Sequence, residues 1–362
     1  MGGFSMEWLY VLMPIAGVKI FWPGLIILGV GVGIIGGFFG MGGAWMVTPG
    51  LNILGFPMAF AIGTDIAHMA GKSLISTMRH GKFGNVDYAL GIVMLVGTVV
   101  GFEVGAQMVM WLERIGQVDK YVRYIYLVLL AFIAWMVFSD VAKKKRKERE
   151  AARAGVKLEA LATGLEWHKA IHRIKIPPMV HFKVAQIYVS FWMPVLVSFA
   201  TGWLAGILGI GGGLIRMPAL IYFIGCPTHV AVGTDLFEVM ISGLYGTATY
   251  TYKGRTELVA AIIMLIGAAV GAQIGTVATK YIKGYGIRIA FGLAVVGCAV
   301  SIIFKLLAKK FPAYGTIFDN AATVLILGLV AAMSIYIFVR MVQGAKQEIA
   351  AKKAAAKAAA AS

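Results

Sequence analysis

Charge is scarce in this chain and lopsided. Asp and Glu number 16 against 33 Lys and Arg in 362 residues, and only 14% of positions are charged, where a soluble globular domain carries about a quarter. Cysteine is nearly absent. Cys226 and Cys298 both sit in or beside apolar segments, with no cluster of several Cys and His at ligand spacing, which argues against a disulfide framework and a zinc site. Also missing are the alternating segments of about ten residues that mark an outer-membrane barrel; AIIMLIGAAVGAQIG (Ala261–Gly275) does not alternate. What is abundant is apolar length: 60% of residues are hydrophobic and the mean hydropathy is +0.84. Lipid therefore acts as solvent for most of the fold, and the fold class is an all-α integral membrane protein, a polytopic helical bundle.

The formal net charge of +17 would suggest nucleic acid in a soluble protein, but much of it is gathered in KKKRKERE (Lys143–Glu150), directly after an apolar run. Such runs collect on the cytoplasmic side of transmembrane ends, so we expect no nucleic-acid partner and an inner (plasma) membrane protein with this loop inside. The N-terminus carries Glu7 where a signal peptide wants positive charge and has no small-residue cleavage site, which predicts a retained interfacial helix over 1–21.

Apolar runs and polar breaks divide the rest into a first transmembrane repeat (22–142), a basic loop with an amphipathic helix (143–188), a second repeat (189–310), a final transmembrane helix (311–343) and a basic tail (344–362), with about eight to ten membrane segments in all. The word repeat is meant literally. GGFFGMGGAWMVTPGL (36–51) aligns with AGILGIGGGLIRMPAL (205–220), so that Gly40, Gly42, Gly43, Pro49 and Leu51 fall on Gly209, Gly211, Gly212, Pro218 and Leu220. GFPMAFAIGTD (55–65) then matches GCPTHVAVGTD (225–235), and MLVGTVVGFEVG (94–105) matches MLIGAAVGAQIG (264–275). If each glycine-broken segment crosses once, the halves are parallel; if it dips in and returns, they are inverted. Lysine bias does not decide, because inversion puts Lys346 and Lys352 inside but Lys305, Lys309 and Lys310 outside. A segment of this length with its break at the middle suits a hairpin of short helices, so inversion is expected.

Glycine and proline inside a helix free backbone groups that hydrocarbon cannot satisfy, so each break must face protein, water or a ligand. Consecutive glycines can converge their N–H groups on an anion, and paired breaks near the midplane are the pattern of a secondary transporter. Close helix packing is the alternative, and it is the expectation for Gly29, Gly31 and Gly33. GVGIIG (31–36) fits the dinucleotide pattern by accident, lacking a βαβ unit and an acid at the right distance.

Ionisable residues within spans are costly and usually functional. Asp65, His68 and Lys72 share one helix face, and Asp235 and Glu238 occupy the first two of these places in the second repeat. These four, Asp65, His68, Asp235 and Glu238, are candidates for carrying a coupling proton, although G-T-D before an apolar run also reads as a helix N-cap. Lys72 either attracts an anion or pairs with Asp65. Arg216 either holds an oxyanion or snorkels to the interface. Glu103, matched by Gln273, is expected to make a helix-to-helix hydrogen bond. His168 and His172 have metal-pair spacing, but Trp167, Lys169, Ile171 and Arg173 make an amphipathic surface helix the simpler account. Neither this pair nor Ser73 and Ser76 assembles a catalytic constellation, so no enzyme, no metal and no cofactor is expected.

The paired GxxGxGGG-like segments (Gly37–Ala44 and Gly206–Gly213), each followed by a proline and a G-T-D turn, resemble the sulfite exporter TauE/SafE family, also called the TSUP permeases. The likeness covers about 22–141 and 191–308. It implies a duplicated inner-membrane permease for sulfite, sulfate, organosulfonates or related small anions. The chain departs from a compact member in its long polar loop and in Ala44, which replaces the third glycine of the first cluster. The expectation is a proton-coupled secondary transporter. Gly40, Gly42, Gly43, Gly209, Gly211, Gly212 and Gly213 would bind the anion, Thr64 and Thr234 assist, and Lys72 and Arg216 supply positive charge. An anion channel or a carboxylate permease of the same fold are the alternatives. The lipid bilayer and protons are the other partners, and a homo-oligomer is left open.

Overall fold

The computed structural model describes residues 6–39, 46–154, 176–210, 212–281 and 285–359. In order, it contains a hairpin of β1 (Tyr10–Met13) and β2 (Val18–Phe21), then α1 (Trp22–Phe39), α2 (Val47–Ile53), α3 (Met58–Lys82), α4 (Tyr88–Arg114) and α5 (Val118–Ala154). A second hairpin, β3 (Met179–Phe182) and β4 (Ile187–Ser190), precedes α6 (Trp192–Leu208), α7 (Gly213–Ala219), a π-helical turn (Leu220–Ile224), α8 (Thr228–Tyr252), α9 (Leu258–Tyr281), α10 (Tyr285–Lys310) and α11 (Gly315–Ala359). The described residues are mostly helical and form no closed barrel. Among the described residues, five helices are long and apolar enough to cross a membrane: Tyr88–Arg114, Val118–Lys143, Leu258–Ala278, Gly292–Lys310 and Pro312–Ala350.

Where an N-terminal interfacial helix is expected over 1–21, the described residues form a short 3-10 turn (Met6–Leu9) and then the hairpin. Pro14 removes a helical donor, and Gly17, at φ +68°, closes the turn by donating its N–H to the Met13 carbonyl at 2.8 Å. Two other boundaries shift. Helix α5 runs on through the basic segment to Ala154, and α11 continues through the alanine-rich tail to Ala359, both stretches being rich in strong helix formers. Residues 155–175, which carry Trp167, His168, Lys169, Ile171, His172 and Arg173, lie outside the described residues, as do Gly40–Ala44 and Gly211.

Glycines spaced four apart set the main helix pairs. An added Cβ on Gly29, Gly33 or Gly37 of α1 would run into the backbone of Met264, Ala268 or Ala272, and one on Gly267, Gly271 or Gly275 of α9 would meet Ile26, Val30 or Ile34. The two helices therefore lie backbone to backbone and parallel. Helices α4 and α6 repeat this, with Gly97, Gly101 and Gly105 against Val195, Phe199 and Trp203, and Gly202 and Gly206 against Thr98 and Phe102. Each pair joins one sequence half to the other.

Helix directions follow from these contacts. Gly243 of α8 faces Ala70 of α3, Gly246 faces Ile66, Gly63 abuts Arg255 beyond the far end of α8, and Gly233 abuts Asn85 beyond the far end of α3. The sequence-matched helices α3 and α8 thus run antiparallel, the relation that inverted halves require. Helix α4 lies along α8 in the same direction, Gly91 meeting Phe237 and Phe102 meeting Gly246, so α6 and α8 start from one face. The segment between them must enter and return. On the other side, Arg123 near the start of α5 donates to Asn52 Oδ1 at the end of α2 at 2.9 Å, bringing the first broken segment back to its own face of entry.

Candidate functional site

Helices α3 and α8 are absent from the apolar set because they carry ionisable residues in their middles, and both sit inside the bundle. Asp65 and Glu238 are fully buried, as are His68, Lys72 and Asp235 to within a few per cent. The contacts of Ala70 with Gly243 place the matched residues Lys72 and Ser242 near the middle of the pair. Asp65 and Asp235 lie seven residues from that middle in opposite directions, about 21 Å apart along the axis at 1.5 Å per residue. The carboxylates therefore form two clusters, not one.

The first cluster joins α2 to α3. Thr48 donates its hydroxyl to Asp65 Oδ2 at 2.9 Å, His68 Nδ1 stands 3.7 Å from Asp65 Oδ1, and Lys72 reaches the same carboxylate electrostatically. Asp65 is the eighth residue of α3, with Pro57 at the N-cap position, so the capping role that G-T-D suggests is not the one it plays. Pro57 carries the turn and lets the helix start early.

The second cluster joins α6, α7 and α8 around one guanidinium. Arg216 is fully buried, so it does not snorkel. Its Nε donates to Thr201 Oγ1 at 3.2 Å, Nη1 lies 3.3 Å from Asp235 Oδ1, and Nη1 also meets Glu238 Oε2. Gly212, at φ +77°, opens α7 beside it; a Cβ there would stand 2.5 Å from Arg216 Nη2. The left-handed backbone and the close approach of the guanidinium both require glycine. Gly213 is the first residue of α7, and that helix has only seven residues, so few peptide dipoles align and the positive charge comes from the guanidinium.

The break ending α6 reaches the other cluster. Gly209, at φ +75°, lies against the first half: a Cβ would fall 2.8 Å from Thr48 Oγ1 and 3.0 Å from Ile62 Cα. Carbonyls freed at this helix end are taken by Tyr126, whose hydroxyl donates to Leu208 O at 2.8 Å, and by Tyr250, donating to Gly206 O at 2.6 Å.

Thr64 and Thr234 sit close by but have other tasks. Thr64 Oγ1 accepts from Glu257 N at 3.1 Å and Thr234 Oγ1 accepts from Asp87 N at 3.0 Å, tying α3 to the start of α9 and α8 to the start of α4. The acids so placed seat the hairpins. Glu257 Oε2 accepts from Ile15 N and Ala16 N, and Asp87 Oδ2 accepts from Val184 N and Ala185 N. Glu103 accepts from Gln107, Tyr245 and Lys253, bridging α4 to α8 as a helix-to-helix bond. Thr48, Thr201, Tyr126 and Tyr250 escape sequence reasoning, since none of them repeats between halves. Asp87 and Glu257 could have been found, each being an acid just before an apolar run at matched positions.

The chain is 22% identical over 295 residues to the probable membrane transporter protein YunE of Bacillus subtilis, covering 78% of this chain and 97% of that one. It is 25% identical over 284 residues to a probable membrane transporter protein of Xylella fastidiosa, covering 77% and 92%. It is also 25% identical over 283 residues to the probable membrane transporter protein MJ0441 of Methanocaldococcus jannaschii, covering 74% and 90%. No solved structure matches it significantly. The model of the sulfite exporter TauE/SafE family matches residues 25–302, and the chain belongs to that family of membrane transporters.

Proposed function

We propose that the protein is a secondary transporter for a small sulfur-containing anion, sulfite, sulfate or an organosulfonate, coupled to protons and working by alternating access across the inner membrane. The observation that carries this reading is Arg216: a guanidinium buried inside a membrane bundle, seated on the left-handed Gly212 of a helix break and held by two carboxylates of α8. A charge there is costly unless it serves a ligand or an ion path. Arg216, Lys72 and the backbone about Gly209, Gly212 and Gly213 form the anion-facing set, with Gly40, Gly42, Gly43 and Gly211 assigned to it from the sequence. Thr64 and Thr234 hold the frame around it. Asp65, His68, Asp235 and Glu238 carry the coupling proton.

Two features support alternating access. The halves are antiparallel at their centre, and they interlock through glycine-lined pairs that can move as units, α1 with α9 and α4 with α6. The orientation is assigned from the dense basic run that starts at Lys143. Lys305 pairs with Asp319 and Lys309 with Asp119, each at 2.9 Å, so these lysines are engaged on the face opposite the basic run at Lys143. That face is outside in our assignment and the basic run is cytoplasmic.

The test is uptake of labelled sulfite and 2-hydroxyethanesulfonate into proteoliposomes with and without an imposed pH gradient. Saturable uptake and counterflow of either anion are expected. Uptake no greater than in protein-free liposomes would sink the sulfur-anion assignment, and non-saturating flux without counterflow would make the protein a channel.

A further inference from the structure

Arg216 is already spoken for. Its guanidinium meets two carboxylates, Asp235 and Glu238, in a pocket where all three side chains are buried. One positive charge faces two negative ones, and an anion arriving at the same guanidinium would make three. Burying uncompensated charge in such a place is strongly unfavourable, so the charge of the cluster is held constant or the anion does not bind.

We propose that the substrate anion and the two carboxylates compete for Arg216, and that Glu238 releases the guanidinium by taking a proton, so that one proton enters the site with a monovalent anion and a second, taken by Asp235, enters with a divalent one. This rests on the reading of the protein as an anion transporter and names its coupling step. The balance is simple. A monovalent anion X⁻ adds one negative charge, a proton bound to a Glu238 oxygen removes one, and no covalent bond to the anion forms. The reverse follows on release: the proton leaves, the carboxylate returns to Nη1, and the anion has no cation to stay with. A site that admits only both or neither is what converts a proton gradient into an anion gradient.

The surroundings leave this task to few groups. Helix α6 brings no charged residue, α7 brings Arg216 alone, and the π-helical turn adds no charged residue. Asp87, the N-cap of α4, holds the N–H groups of Leu90, Val184 and Ala185, while Glu103 on α4 is held by Gln107, Tyr245 and Lys253. Helix α3 supplies Lys72 about one turn away along the axis, with His68 and Asp65 beyond it and His80 toward the other end. Lys72 is the rival source of compensation, and it predicts anion binding with no proton taken up. Glu238 is singled out over Asp235 because its Oε1 has no hydrogen-bond partner among the described residues and is the oxygen left to take the proton, while Oε2 faces Arg216 Nη1.

The experiment measures protons taken up by the purified full-length protein in weakly buffered detergent solution as sodium 2-hydroxyethanesulfonate or sodium sulfate is added. Both anions keep their charge between pH 5 and 8. The expected result is about one proton per sulfonate and about two per sulfate, with sulfonate affinity rising about tenfold per unit fall in pH. Glu238→Gln should bind sulfonate with an affinity that no longer follows pH. Binding by the unaltered protein without proton uptake overturns the coupling proposal and leaves the transporter reading standing. Binding of neither probe at any pH, together with no sulfite uptake into proteoliposomes, overturns the transporter reading and the coupling with it. A Glu238→Gln protein that folds and keeps the pH dependence moves the proton to another residue and also overturns the proposal.

Discussion

Replacing Gly212 by alanine separates backbone strain from the seating of Arg216, because the same strain can be imposed where nothing is touched. Gly212 has φ +77° and an added Cβ would stand 2.5 Å from Arg216 Nη2 and 3.0 Å from Cζ. Gly116, in the turn between α4 and α5, has φ +67° and nothing within 4 Å of the same added atom. The left-handed conformation costs an L-residue about 1–2 kcal/mol at either place. At Gly212 the guanidinium must also retreat about 1 Å to reach an ordinary van der Waals separation. Its bonds to Thr201 and Asp235, already 3.2 and 3.3 Å long, would not survive that shift. Hydrogen bonds to charged groups contribute about 1.5–3 kcal/mol each, so with two of them lost Gly212→Ala should lose about 3–6 kcal/mol more than Gly116→Ala. The assay is thermal unfolding in detergent, paired with sulfonate uptake into proteoliposomes. Gly116→Ala is expected to unfold earlier and transport with an unchanged KM; Gly212→Ala is expected to unfold earlier still and lose uptake at least tenfold. Equal unfolding temperatures and equal KM values for the two variants would refute the argument that Gly212 seats the guanidinium.

Gly271→Leu should force α1 and α9 apart, since even a Cβ there meets the Val30 carbonyl, and the folded yield should fall severely; Gly328→Leu, with nothing within 4 Å, is the control and should express normally. Thr64→Val removes the acceptor of the buried Glu257 N–H and is expected to cost about 1–3 kcal/mol, largely restored by Thr64→Ser; equal stability of the valine and serine variants would contradict the role given to the hydroxyl. Single cysteines at the exposed positions Lys143 and Lys346 should react with an impermeant maleimide from one face of the membrane and a cysteine at Lys309 from the other, against the low background of buried Cys226 and Cys298. Labelling of all three from the same face would rule out the antiparallel arrangement.

The apolar length of the segments was enough to read the helical membrane fold, because a hydrocarbon solvent leaves the backbone almost no other choice. The matched glycine clusters and the i, i+3, i+7 face of Asp65, His68 and Lys72 were equally plain, being local patterns. What stayed hidden involved residues far apart in the chain. Nothing near Arg216 in sequence says that Thr201, Asp235 and Glu238 close on it, and the G-T-D turn resembles an N-cap until Pro57 is seen to start the helix a full two turns earlier. The N-terminal hairpin was missed for a related reason: Pro14 and Gly17 are visible, but the carboxylate that seats their turn is Glu257, on the far side of the sequence.

By itself the sequence determined the class of the protein, the positions of the two breaks and which ionisable residues lie inside the membrane. These follow from composition and spacing, which act along the chain. Only the tertiary structure decided that α3 and α8 run antiparallel, that α1 pairs with α9 and α4 with α6, and that the two matched polar faces become two different clusters, a threonine-bound aspartate in one and an arginine shared by two carboxylates in the other. Direction and partnership depend on which glycines meet which backbones. GGFFGMGGAWMVTPG and AGILGIGGGLIRMPA share their breaks but not their neighbours, and the second alone carries an arginine to place between the acids.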